Sequence, residues 1–445
     1  MKLVMNMLGT LIGKLVFKIT KLLKHGGSTL PGTVVLKLFP KYLYKIKLPE
    51  TIIMVTGSCG KGSTTKIITS VLEANGTSVC TNKNGANLIE GITTTIILNT
   101  KGKKVKQDAL VLEVDERYLK IVTKYIKPEY IVINNITRDQ PPRNSNFDVI
   151  FNEILKGIPK DTKLLVNGDD PILRKYSLCY SGEITYFGIE KTKYSYKKHD
   201  DVRDYNYCPK CDSKLEFDYY NYGSVGKYKC TNCDFKRDNI KYSITNVDYD
   251  NNEITINKDY KIKASTYMLS NLYNLVAAFS MGDMLKIDSK VITDALSKDI
   301  IENKLYDEFT VNKRKFTVLN CKAENNSTYN LALLFAAMDK NQKTIVIGHK
   351  EISRRYNHFD VSWMYDCYFE ILNKDDYVIC AGPNAYDFAV RMKLAGIKKE
   401  NIIILDDLTD IKKTVLEQTK GNVYGVLNFD YVKPFKENMT VKEEN

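Results

Sequence analysis

No stretch of the 445 residues reaches the roughly 18 apolar positions that a membrane-spanning helix needs. The N-terminus does not read as a secretory signal peptide, because its apolar run is interrupted by lysines and carries no clear small-residue cleavage site. No internal repeat is evident. Tryptophan occurs once, at Trp363, where the expected use is a core or interface anchor. Ten cysteines are present but form no disulfide framework. Four fall into a metal-type pattern; Cys59, Cys80, Cys179, Cys321, Cys367 and Cys380 are scattered, which points to the reducing cytoplasm. What the chain does have is length, for two or three domains, and a basic excess with formal net charge +13. Such an excess suits an anionic partner, but most of the lysines are scattered and read as solvated surface.

Residues 3–23 form a basic amphipathic helix. Lys14, Lys18 and Lys21 share one face, and Leu8, Ile12, Leu15, Ile19 and Leu22 share another. Two uses are open: lying on an anionic membrane surface, or docking on the protein's own core. His25–Gly32 breaks this helix, and a second apolar stretch, Val34–Leu43, follows. Short apolar strands alternating with helices then indicate an α/β fold with a mostly parallel sheet covered on both faces. The candidate strands are Ile52–Val55, Ala109–Val114, Tyr130–Ile133 and Lys163–Val166. From about residue 305 a second open α/β sheet is expected, on Phe316–Asn320, Thr344–Gly348, Tyr377–Gly382, Asn401–Leu405 and Val423–Asn428.

The first strand runs into Gly57-Ser58-Cys59-Gly60-Lys61-Gly62-Ser63-Thr64-Thr65, and a helical pattern follows. A glycine-rich turn between a strand and a helix aims backbone N–H groups at phosphate oxygens. Gly57, Gly60 and Gly62 permit close approach, and Lys61 supplies a charge for the β- and γ-phosphates. A hydroxyl from Ser63 or Thr64 suits Mg²⁺, so ATP with Mg²⁺ is the expected cofactor pair. A tight turn with an incidental lysine is the competing explanation, but strand, loop, lysine, hydroxyls and helix all agree with the motif. Glu113, Asp115 and Glu116 end a later strand; Glu113 is the candidate Mg²⁺ ligand, and a solvated strand end is its alternative.

Residues 190–260 are rich in Tyr, Lys and Asp and read as an insertion with hairpins. Within it Cys208, Cys211, Cys230 and Cys233 form two CxxC knuckles. Each knuckle presents two thiolates to one tetrahedral ion, so the expectation is a closed structural Zn²⁺ site that staples an insertion lacking a large core. Zinc ribbons also bind nucleic acid, but Tyr219, Tyr220, Tyr222 and Tyr228 are as easily ribbon core as stacking platforms, and no nucleic-acid partner is expected.

Only Ser58 and Cys59 separate Gly57 from Gly60, a spacing similar to that of Mur ligases and folylpolyglutamate synthases. Asn167–Pro171 resembles their Asn-x-Asp-Asp turn, and Asn271-Leu272-Tyr273-Asn274 with Ala277-Ala278 resembles the adenine-side segment, which carries Asn271 and Asn274 over as nucleotide contacts. The chain resembles the MurT family more narrowly, from about Gly26 to Phe429. The residues that carry this are Gly26–Gly32, Thr81–Leu88 with Gly91–Thr94, Asn134–Gln140, the four-cysteine insert, Phe359–Asp366 and Ala381–Gly396. Two segments depart from the pattern: Gly-Lys-Gly-Ser in the loop, which moves the Mg²⁺ hydroxyl to Ser63, and Lys322-Ala323-Glu324-Asn325-Asn326 in place of the family's KNPAG.

The resemblance implies three parts: an N-terminal segment 1–48, a Mur-ligase-type central domain 49–303 with the zinc ribbon inserted at about 200–240, and a MurT-type Rossmann-like domain 304–445. It implies an ATP-dependent ligase that amidates the D-glutamate α-carboxylate of the lipid II stem peptide through an acyl phosphate. Ammonia would come from a GatD-type glutamine amidotransferase subunit. Asp360 would complete that partner's Cys–His pair, with Asp366 as the fallback; a helix cap is the structural use of Asp360. Lipid-bound substrate would place the protein in the cytoplasm at the inner face of the membrane, where a peripheral contact is open. Two other classes stay in view: a self-sufficient amino-acid-adding ligase, and a zinc-ribbon NTPase acting on nucleic acid.

Overall fold

Strands that are apolar at every position can hide both faces only between two layers of helices. A computed structural model describes residues 2–23, 28–82, 85–140, 144, 146–197, 204–264, 266–298, 306–349 and 361–440. The central strands are β1 (Thr51–Thr56), β2 (Val79–Thr81), β3 (Ala109–Glu113), β4 (Tyr130–Ile133), β5 (Lys163–Asn167) and β6 (Ile184–Ile189). Two further strands, β7 (Leu215–Tyr222) and β8 (Val225–Cys230), pair as a separate antiparallel hairpin. Then come β9 (Ile240–Asp248), β10 (Glu253–Ile256) and β11 (Tyr260–Lys263). The nine-stranded sheet runs β11-β10-β9-β6-β5-β4-β1-β3-β2. It is parallel from β2 through β9 and antiparallel over its last two pairs.

Alternate residues of each strand enter different cores. Ile53, Val55, Val111 and Val132 pack against Ile68 and Val71 of helix α3 (Lys61–Ala74) and against Leu272, Val276 and Phe279 of the helix Leu269–Met284. Met54, Leu110, Leu112 and Ile131 face the other way, toward Ile92 and Ile96 of helix α4 (Ile89–Asn99) and Ile150 and Ile154 of the helix Phe147–Gly157. Each such side chain contributes roughly 1.5–3 kcal/mol on burial. The helix Leu269–Met284 is rich in small residues because it lies close to its neighbours: a Cβ on Gly282 would stand 2.9 Å from Ile292 and 3.1 Å from Val71.

The second sheet holds β12 (Tyr306–Val311), β13 (Arg314–Cys321), β14 (Thr344–Gly348), β15 (Tyr377–Ala381), β16 (Ile402–Leu405) and β17 (Val423–Asn428), in the order β12-β13-β17-β14-β15-β16. Only the edge pair β12–β13 is antiparallel. Five of these strands match the sequence reading; β12 was not anticipated, since Asp307, Glu308 and Thr310 dilute its apolar pattern. Trp363 is buried against Tyr329 and Phe388, as a core anchor.

The hairpin β7–β8 belongs to an insertion between β6 and β9, which pair with each other in the main sheet. It carries its own small core of Leu215, Tyr228 and Phe235 beside the cysteines. Tyr219, Tyr220, Tyr222 and Tyr228 are all buried: Tyr228 joins the ribbon core, Tyr220 stacks on Phe217, and Tyr222 joins the main core beside Tyr273, so these rings are packing residues.

At the N-terminus, helix α1 (Lys2–Leu22) packs on helix α2 (Leu30–Leu38) and on α4, but through its small residues. Gly9, Thr10, Gly13 and Thr20 are buried. A Cβ on Gly13 would lie 2.8 Å from Ile97, and the Thr10 and Tyr42 hydroxyls share a 2.8 Å hydrogen bond. The leucine stripe points outward. Among the described residues no helix is long and apolar enough to cross a membrane.

Candidate active site

β1 ends at Thr56, and the chain turns through Gly57, with φ 129°, and Gly60, with φ 78°, before α3 begins at Lys61. Both dihedrals favour glycine. The loop is clamped from the end of β4. Asn135 accepts from the Cys59 N–H at 2.9 Å through its side chain and from the Ser58 N–H at 3.0 Å through its backbone. The Ser58 hydroxyl donates to Thr137 O and accepts from Thr137 N–H. Burial pushes the Cys59 thiol up to about 11, so it stays neutral. The first N–H groups of α3 have no intrahelical acceptor and carry the positive end of the helix dipole. A cavity of about 440 Å³ lies over them, lined by Gly60, Lys61, Gly62 and Ser63 among others.

The acids after β3 are not a solvated strand end. Asp115 and Glu116 are buried. The Lys61 ammonium lies 2.9 Å from Glu116 Oε2, and Glu116 Oε1 accepts from Asn144 at 2.8 Å. Burial alone disfavours the Lys61 charge; Glu116 and Glu113 outweigh it and hold its pKa above the ordinary lysine value. Glu113 faces the other side of the turn. Its Oε1 accepts from Asn87 at 2.9 Å, and its Oε2 lies where a Cβ on Gly62 would approach to 3.1 Å. Of the three acids, Glu113 is therefore the one placed to offer a carboxylate oxygen to a cation on the loop.

The two candidate hydroxyls separate. The Thr64 Oγ1 is fully buried, donating to Asn274 Oδ1 and accepting from Asn134 Nδ2, both at 2.9 Å. Thr64 thus ties the sheet, α3 and the helix Leu269–Met284 together, while half-buried Ser63 lines the cavity. Asn274 lines it too, and its buried Nδ2 has no hydrogen-bond partner. A donor left over beside orphan helix N–H groups and two lysines fits a phosphorylated nucleotide. Asn271 is placed differently: its amide donates to Thr266 O at 3.3 Å, and it is not among the residues lining the cavity. Tyr273 takes that side of the cavity, its hydroxyl 2.8 Å from Asp169 Oδ2. Asp169 also binds Arg237 at 2.6 Å, which ties the insertion to the nucleotide side of the sheet.

The sequence marks Lys322 only as the start of a departing segment, without a role. It reaches from the end of β13, donates to Ser58 O at 2.9 Å and pairs with buried Asp139. Burial opposes its charge, and Asp139 and neighbouring acids outweigh that, so its pKa lies above the ordinary value. Asn325 adds bonds to Thr137 Oγ1 and Arg138 O at 3.1 Å each. The segment Lys322–Asn326 therefore docks the second sheet onto the phosphate loop. Asn134, Asn135 and Asp139 were legible as part of one motif; their partners were not. Asp360 lies outside the described residues. Asp366 binds Arg138 at 2.7 Å, and the same guanidinium holds Asp204 of the insertion at 2.6 Å.

The four cysteines converge, with all Sγ atoms within 4.8 Å of one another. Cys208 and Cys233 are 3.6 Å apart, and Cys211 and Cys230 are 3.4 Å apart. A tetrahedral Zn²⁺ with Zn–S near 2.3 Å needs about 3.8 Å, so the donor set fits. Backbone N–H groups of Lys210 and Asn232 point at Cys208 and Cys230 Sγ from within the knuckles.

The chain matches two family models: Mur ligase middle domain over residues 55–233 and MurT ligase C-terminal over residues 323–430. It is 28% identical over 432 residues to the lipid II isoglutaminyl synthase (glutamine-hydrolyzing) subunit MurT of Staphylococcus aureus (strain N315), covering 96% of each chain. The protein of the same name from Streptococcus pneumoniae (strain ATCC BAA-255 / R6) is 28% identical over 419 residues, with 92% of each chain covered. Among solved structures, a pseudomurein peptide ligase type C from Methanothermus fervidus aligns with TM-score 0.68 at 19% identity, covering 92% of this chain and 84% of that one. MurF ligase from Thermotoga maritima, in complex with ADP, aligns with TM-score 0.60 at 20% identity, covering 92% and 83%. At these identities the solved structures speak for the fold alone. The fold is that of a Mur ligase, and over nearly its whole length the chain is similar to MurT proteins.

Proposed function

We propose that this chain is the ligase subunit of a glutamine-dependent lipid II amidating enzyme, converting the D-glutamate α-carboxylate of the stem peptide to D-isoglutamine. The observation that carries the reading is the convergence of Lys61, Lys322, Glu113 and the start of α3 on one cavity, in a chain alike over nearly its whole length to proteins named for that synthase. ATP with Mg²⁺ supplies the phosphoryl group that makes a carboxylate reactive. The N–H groups at the start of α3 and the Lys61 ammonium bind its terminal phosphates. Glu113 and the Ser63 hydroxyl are the oxygen donors for the cation. Lys322 adds positive charge beside the loop, and both ammonium groups are held in place before charge develops. A substrate carboxylate oxygen then takes the γ-phosphoryl group and ADP leaves. Ammonia bonds to the carbonyl carbon, the C–O bond to phosphate breaks, and the nitrogen loses one proton.

The four cysteines hold Zn²⁺ as a staple for the insertion, with no position left for substrate. Ammonia comes from a GatD-type amidotransferase partner working with this chain in the cytoplasm, at the membrane face that holds lipid II. Asp360 serves the partner by orienting the imidazole of its Cys–His pair. With the partner present, Asp360→Asn is expected to abolish amidation from glutamine and to spare amidation from ammonium. Equal loss with both nitrogen sources would place Asp360 in the ligase reaction and remove this role.

A further inference from the structure

Helix α1 docks with the face that amphipathic helices usually expose. Its small residues are buried, and Leu8, Leu11, Leu15, Ile19 and Leu22 form one outward stripe, from 46% to 82% exposed. Lys18 and Lys21 are exposed along one flank of that stripe. Leu30 and Leu38 of α2 extend the apolar surface, and Lys37 and Lys41 are exposed beside Leu38. Five large apolar side chains on one helix face exceed the scattered exposure normal for a surface.

The same helix borders the reaction site. A groove of about 1320 Å³ is lined by Phe17 of α1, by Thr94 and Leu98 of α4, by Thr69 of α3, and by Gly62 and Glu113 of the phosphate-loop site. Phe17 falls on the inner side of α1 with Gly13 and Thr20, away from the leucines, so the groove runs beneath the helix.

We propose that the leucine stripe of α1 and its flanking lysines are a docking surface for an anionic lipid bilayer. The leucines enter the acyl boundary and the lysines meet the headgroup phosphates, which holds the chain at a surface that bears lipid-borne substrate. Charge complementarity selects this occupant: a second copy of a chain with net charge +13 would bring lysines against lysines. The surface is read from α1 alone; its use in delivering a lipid-borne carboxylate rests on the reaction proposed above.

The test uses the full chain and vesicles of phosphatidylglycerol or phosphatidylcholine, without nucleotide, so failure of the reaction leaves the result intact. Co-sedimentation with phosphatidylglycerol vesicles is expected, at least tenfold stronger than with phosphatidylcholine. Leu11→Glu/Leu15→Glu should cut the partition constant more than tenfold with melting temperature unchanged, and Lys18→Glu/Lys21→Glu should erase the preference for anionic lipid. Absence of vesicle binding, or undiminished binding by the leucine variant, would overturn the proposal. So would a lipid-free dimer that the leucine variant converts to monomer while wild type ignores vesicles.

Discussion

The four-cysteine insertion and the glycine-rich loop both present chemistry on tight turns, yet they are held in opposite ways. The four-cysteine site is built locally: its ligands, its Leu215–Tyr228–Phe235 core and its knuckle N–H donors all lie within about thirty residues of one another. The phosphate loop is assembled from afar. Glu116 stands 55 positions from Lys61, Asn135 stands 76 from Cys59, Asn274 stands 210 from Thr64 and Lys322 stands 264 from Ser58. A local site needs only spacing and a metal. A distributed one needs the whole fold, and any clamp can be removed separately.

The sharpest way to break this comparison is Lys61→Ala. With the charge gone and Glu116 left buried without its cation, turnover should fall by about 10³-fold with glutamine or ammonium alike, in a phosphate-release assay. Retained turnover would remove the loop from the mechanism. Next in size is the metal. Cys208→Ser, or chelation, should empty the site of zinc and lower the melting temperature by at least about 5 °C, since a staple of this kind carries folding energy. Full zinc content in the variant, measured by atomic absorption, would refute the four-thiolate site. The smallest effect is expected at Lys322→Met. Breaking a fully buried ion pair costs about 3–5 kcal/mol. Lys322 keeps a third of its side chain accessible, so screening reduces this to roughly 1–2 kcal/mol of stability, read as a melting temperature lower by a few °C. An unchanged value would mean that the second sheet only rests on the loop.

The same contrast explains what the sequence made legible. The cysteine pattern, Gly57–Thr65 and the apolar central strands were readable because each is set by near neighbours in the chain; β9, β10 and β11 read as part of the insertion, yet they pair into the main sheet. Glu113 stands out in the sequence by its place after a strand, and in the structure it faces the loop while Glu116 pairs with Lys61. Glu116 as the partner of Lys61 was not legible, nor was the docking of Lys322–Asn326, because nothing local marks which distant cation an acid will meet. The outward leucine stripe was half legible: periodicity defined the faces of α1, but only packing against Ile97 and Tyr42 decided that glycine and threonine would be the buried ones.

The central claim is that this loop phosphorylates a carboxylate before nitrogen arrives. Lipid II carrying ¹⁸O in the D-glutamate α-carboxylate, amidated by the complex with ATP, tests it through the mass of the released inorganic phosphate. The account predicts one ¹⁸O transferred to phosphate for each amide formed. Amide formed with wholly unlabelled phosphate would contradict it.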